Sequence, residues 1–97
     1  MHPTQKKLQD RIRRDSVRDP ASGCWVWNRQ VSNTGYGRIT VAARDRLVTE
    51  SAHRMSYLAF VGPLGVETRV SQTCNNRLCV NPDHLLAAGV PAHGGAA

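Results

Sequence analysis

Thr73-Cys74-Asn75-Asn76-Arg77-Leu78-Cys79-Val80-Asn81-Pro82-Asp83-His84 puts two thiols and an imidazole into one short stretch. Four residues separate Cys74 from Cys79, and four separate Cys79 from His84. The asparagines, Pro82 and Asp83 are turn formers, so this stretch reads as a compact irregular loop. The remaining cysteine, Cys24, lies far upstream. Three thiolates and one imidazole would complete a tetrahedral zinc shell with no open position, which makes the ion structural rather than hydrolytic. Spacing alone leaves a second reading open, that of three buried free thiols. A closed disulfide framework fits poorly with an odd number of cysteines. The opening residues lack the apolar stretch of a secretory signal, so a reducing cytoplasm is the expected compartment.

Working outward, Leu85 to Ala87 form a last short strand, and residues 66 to 72 form another before the loop. Ala52 to Phe60 carries Met55, Leu58 and Ala59 three and four apart, with Tyr57 and Phe60 beside them. That is a helix with a buried stripe, stopped by Gly62-Pro63. His53 and Arg54 fall in its first turn. Upstream, Cys24-Trp25-Val26-Trp27, Tyr36 to Val41 and Arg46 to Ser51 read as three strands separated by turn chemistry, most simply an antiparallel meander. Residues 5 to 18 carry Leu8, Ile12 and Val17 among many charges and read as a short amphipathic helix or arm. The resulting organisation is a basic helix or arm over 1–22, a domain over 23–89 and a flexible tail over 90–97 that contains Pro91 and Gly94-Gly95.

With 97 residues there is room for one small domain, whose limited core calls for a staple. No apolar run approaches the roughly 20 residues of a membrane-spanning helix. Thirteen Lys and Arg against seven Asp and Glu give a net charge of +6, which favours an anionic partner. Nearly all of that positive charge is arginine, whose planar fork suits phosphate and base edges.

Gly23-Cys24-Trp25-Val26-Trp27, Gly35-Tyr36-Gly37-Arg38-Ile39, Ala52-His53-Arg54-Met55-Ser56-Tyr57 and Cys74 through Leu85 follow one pattern in order. Over roughly residues 23 to 88 the chain resembles the zinc-binding HNH endonucleases, including phage HNH proteins and the intron-encoded His-Cys box homing enzymes. The resemblance implies a small α+β fold with a zinc-bound ββα-metal core, in which Cys24, Cys74, Cys79 and His84 hold one structural Zn2+. It also implies a histidine base at the end of the first strand of that core and an Asn or His on the following helix, which holds Mg2+ or Mn2+. Both features depart here. The base position is Gln72, whose amide can orient water but cannot take its proton. The metal-binding position falls at His93, followed by Gly94 and Gly95 with only four residues left. Each glycine costs roughly 1 kcal/mol inside a helix, and the remaining length is too short for a stable one. The final helix is therefore expected to be truncated or absent. Two imidazoles could substitute for the base: His53, or His93 if the tail folds back.

The resulting expectation is a zinc-stabilised DNA-binding protein lacking efficient nuclease activity, cytoplasmic or nucleoid-associated, with double-stranded DNA as partner. Arg38, Arg44 and Arg46 on or around the second hairpin are the leading contact candidates, with Arg29 and Arg54 behind them. A twisted antiparallel ribbon fits a major groove. Two alternatives stand beside this reading. One is an active divalent-metal-dependent endonuclease; the other is a phage-type interaction module that binds a host nucleic-acid enzyme through the same basic face.

Overall fold

A computed structural model describes residues 3–43, 45–65 and 67–88. Among these the chain is a small α+β fold of two helices and three short antiparallel sheets, each of two strands. The first helix, α1 (Pro3–Arg14), is followed by β1 (Ser16–Arg18) and β2 (Trp25–Trp27). The long hairpin β3 (Arg38–Ala43) and β4 (Arg46–Ser51) leads directly into α2 (Ala52–Phe60). The described elements end with β5 (Val70–Gln72), a 3-10 turn (Pro82–His84) and β6 (Leu85–Ala87).

Of the two forms expected for the N-terminal segment, helix or arm, the structure has the helix, and it packs into the core. Ile12 is fully buried against Trp27, Ile39, Ala52, Ala59 and Val80, with Leu8 packed beside them. Gln9 donates its amide to Ala59 O at 2.6 Å, which ties α1 to α2. The helix also ends earlier than the expected 18. Ser16 Oγ caps Ile12 O at 2.7 Å, and the chain then turns into β1, where Val17 pairs with Val26 and is exposed. A β-branched residue flanked by polar neighbours suits a half-exposed strand better than a last helical turn. The expected boundary at 22–23 thus falls in the turn between two paired strands. That turn is built by Asp19, which accepts from Ala21 N and Ser22 Oγ, and by Gly23 at φ 78°.

The expected meander is also corrected. β2 pairs with β1 on one edge, while its other edge is taken by the cysteine loop: Trp27 N donates to Leu78 O and Val80 N to Trp25 O, both at 2.8 Å. β3 instead crosses the Trp27 side chain. The indole Nε1 donates to Arg38 O at 2.9 Å, and Gly37 lies flat against the ring. A methyl group at position 37 would stand 2.8 Å from Trp27 Cδ1 and 3.0 Å from Cγ, inside contact distance of a rigid buried ring. Gly37→Ala is therefore expected to destabilise the protein by roughly 1–3 kcal/mol, read as a lower denaturant midpoint at unchanged slope.

α2 separates two apolar clusters. Ala52 and Ala59 face the main core, while Tyr57 joins Leu85 and Ala87 in the second, with Leu64 and Val70 packed against it. Its most buried positions are Ala52, Ser56, Tyr57 and Ala59; Met55 and Leu58 are only half-buried. Ser56 is accommodated inside because its hydroxyl donates to Val80 O at 2.5 Å. β5 and β6 pair in register, Val70 with Ala87 and Gln72 with Leu85, and set the ends of the cysteine loop side by side. Residues 90–97, the expected tail and the place of a final helix, lie outside the described residues.

Candidate metal centre and arginine cleft

Cys24, Cys74, Cys79 and His84 converge. Their four ligand atoms all lie within 4.8 Å of one another. Cys24 is delivered by the turn before β2, and Cys74 by the residues just past β5. Cys79 sits where the loop bridges to Val26. His84 closes the 3-10 turn, which Asn81 caps by accepting from Asp83 N at 2.9 Å. Asn81 also donates its amide to Gly23 O at 2.6 Å, fastening this turn to the one that carries Cys24. Thr73 donates both its amide N–H and its hydroxyl to His84 O. Asn75 makes the sharp reversal after Cys74 at φ 61°, a left-handed conformation that asparagine tolerates.

The geometry fits a tetrahedral ion. With metal–sulfur distances near 2.3 Å and metal–nitrogen near 2.0–2.1 Å, the sulfur–nitrogen edge of a tetrahedron is about 3.6 Å. His84 Nδ1 stands 3.7 Å from Cys24 Sγ and 3.4 Å from Cys79 Sγ. The cluster therefore has the donor set and spacing to hold one structural metal ion such as Zn2+. Burial pushes the Cys79 thiol up to about 12. Burial acts in the same direction on Cys24, but hydrogen bonding from Ser22 and the neighbouring thiols outweighs it and holds that thiol below its ordinary value. A cation at the centre would let all three ionise together.

Beside the centre lies a cleft of about 840 Å³ between the β3–β4 hairpin, the first turn of α2 and β5. Arg38, Arg69 and Arg77 line it with His53, Gln72 and Asn75, and Glu50 is the acid among its described lining residues. Arg77 Nη1 donates to Thr34 O at 2.6 Å, and its guanidinium covers the Tyr36 ring at 5.2 Å. Tyr36 in turn packs on His53, with centroids 5.5 Å apart. His53 Nδ1 is buried with no hydrogen-bond partner. Burial holds this imidazole below its ordinary value, the Arg54 charge adds to that, and the Val70 backbone opposes it. Gln72 is half-buried, and its amide nitrogen donates to Arg77 O at 2.9 Å and Cys79 O at 3.1 Å.

The expected contact residues divide. Arg38 is exposed and stands at the cleft, and Arg46 is exposed at the start of β4. Arg29 pairs with the buried Asp15 at 3.1 Å. Arg54 is half-buried and donates to Thr68 O and, at 2.7 Å, to Gly65 O, where it holds a loop. Arg44 and His93 lie outside the described residues. Sequence reasoning missed Arg69 and Arg77 in the cleft. Their position flanking and inside the cysteine loop was the available signal, since a loop folded around an ion must present its intervening side chains to one side or the other.

The chain is 34% identical over 87 residues to Protein 2.8 of Escherichia phage T7, covering 90% of this chain and 53% of that relative. It thus spans about half the length of the curated relative it matches. No family model matches the chain, and no solved structure does. Among the described residues no helix is long and apolar enough to cross a membrane.

Proposed function

We propose that this chain is a zinc-stabilised HNH-like DNA-binding protein without efficient nuclease activity. Zn2+ is the ion for the Cys24, Cys74, Cys79 and His84 cluster, because three thiolates and an imidazole form a closed structural shell. β5, β6 and the loop between them correspond to the two strands of a ββα-metal core. The observation that carries the reading is Gln72. It occupies the position of the family's base, lines the arginine cleft, and has its amide committed to two carbonyls of the metal loop. A group that donates hydrogen bonds and has no basic nitrogen holds the loop closed but takes no proton from water. What remains is a cationic cleft between a projecting hairpin and a rigid metal loop. Duplex DNA is its expected occupant and the cytoplasm or nucleoid its expected setting.

The test is titration of duplexes of mixed sequence at two salt concentrations. If Arg38, Arg69 and Arg77 each meet one phosphate, a fourfold rise in salt weakens binding by about 40-fold. The absence of duplex binding at low salt, with retention of one protein partner, would sink the reading in favour of the interaction module.

A second reading is favoured by His53. Its unpartnered buried Nδ1 and its depressed basicity leave a neutral imidazole beside the cleft near pH 7. In that case the chain cleaves DNA with Mg2+ or Mn2+. The discriminating result is ion-dependent nicking of supercoiled DNA that His53→Ala abolishes.

A further inference from the structure

A second groove, of about 340 Å³, opens on the other side of β3 between α1 and the segment after β2. Four arginines line it, Arg11, Arg14, Arg29 and Arg38, against one acid, Asp15. Asp15 is only 5% exposed, whereas Arg14 and Arg29 are 68% and 64% exposed. Arg14 approaches the carboxylate with two nitrogens, Nε on Oδ1 and Nη2 on Oδ2, both at 3.2 Å. Arg29 brings Nε to Oδ1 at 3.1 Å. The bond from Arg14 does most to hold this carboxyl below the usual range; burial opposes it, and Arg29 adds to the lowering. Arg11 completes the wall by donating to Thr40 O at 2.6 Å.

One buried carboxylate therefore orients two outward guanidinium forks, and each keeps N–H donors free for a ligand. Among the described residues, Arg29 meets Asp15 through Nε and leaves both terminal nitrogens to the groove, and Arg14 leaves Nη1. An ordinary exposed arginine must lose rotamer freedom when it meets an anion; these two are already held. Arg38 lines both this groove and the larger cleft, so the two basic surfaces are continuous across β3.

We infer that the α1–β3 groove seats two successive nucleic-acid backbone phosphates, one on Arg14 and one on Arg29, with Asp15 as the residue that positions both donors. The inference rests on the DNA-binding reading and extends it: a duplex over the cleft continues across Arg38 into this groove.

Salt-dependent titration of a short mixed-sequence duplex between about 50 and 200 mM salt tests it. Arg29→Gln leaves the Arg14–Asp15 pair intact and should make the slope of log K against log salt shallower by about 0.9. The triple variant R14Q/D15N/R29Q leaves no lone buried charge and should make it shallower by about 1.8. Lys7→Gln changes the net charge by the same single unit as the triple variant, and Lys7 lies outside the groove; its slope should match the natural protein. Unchanged slopes in Arg29→Gln and the triple variant, with binding by the natural protein retained, would overturn the groove alone. A Lys7→Gln effect as large as that of the triple variant would also overturn it, because net charge would then account for the change. A natural protein that binds no duplex would overturn the functional reading together with the groove.

Discussion

Stripping the bound metal with a tight chelator is expected to unfold this protein. The four ligands tie the start of β2, the end of β5 and the 3-10 turn into one point, and Cys24 closes a long loop of chain onto the rest. Among the described residues the apolar clusters alone are small: six buried side chains in one and three in the other. Structural zinc in small domains contributes apparent binding energies of about 10–16 kcal/mol, as large as the whole stability of a typical domain. Far-ultraviolet circular dichroism should lose its cooperative thermal transition on chelation and recover it on adding one equivalent of Zn2+. Cys24→Ser should behave like the stripped protein, because it removes one ligand and detaches β2 from the loop. A metal-free protein that melts cooperatively at the same temperature would show that the cluster is three buried thiols beside a histidine, held by packing alone.

Replacing Gln72 with histidine is expected to introduce ion-dependent nicking of supercoiled DNA. A positioned base contributes typically about 10²- to 10⁴-fold to a reaction of this kind, and position 72 already faces a cleft with three arginines able to meet phosphate. The change has a structural cost. The Gln72 amide satisfies Arg77 O and Cys79 O, and losing it leaves carbonyls of the metal loop short of a donor. That is worth about 1–3 kcal/mol where the group is buried. Gln72→Ala carries the same cost without supplying a base, so it separates the two effects: it should lose stability and gain no cleavage. A folded Gln72→His protein that binds duplex yet never nicks it would mean that the missing base is not what silences the site.

The Cys74, Cys79 and His84 part of the cluster was legible because it depends on residue types and short spacings, and these survive whatever the rest of the chain does. The same holds for α2, for the β3–β4 hairpin and for β6, where apolar period and turn residues coincide with the observed elements. The meander was not legible. Alternation in Trp25–Trp27 and Arg38–Ala43 identifies strands but says nothing of which backbone each will face. Trp27 decided that by filling the space over Gly37 with its ring, which leaves the edge of β2 to the cysteine loop. The choice between helix and arm at the N-terminus was left open for a related reason. The segment's charges are visible in the sequence, whereas the α2 surface that buries Ile12 and accepts from Gln9 exists only once the chain has folded.

By itself, then, the sequence determined what chemistry is available: a closed set of thiolate and imidazole donors, a surplus of arginine and a non-basic residue at position 72. Only the tertiary structure decided which arginines are left for a ligand. Arg54 is committed to loop carbonyls, Arg29 is oriented through its Nε by a buried carboxylate while the rest of its fork stays exposed, and Arg38, Arg69 and Arg77 gather around one cleft. The physical reason is that periodicity reports the face a side chain occupies. The fate of a guanidinium depends on acceptors far along the chain, as with Arg77 on the carbonyl of Thr34, and those are brought within reach by packing alone.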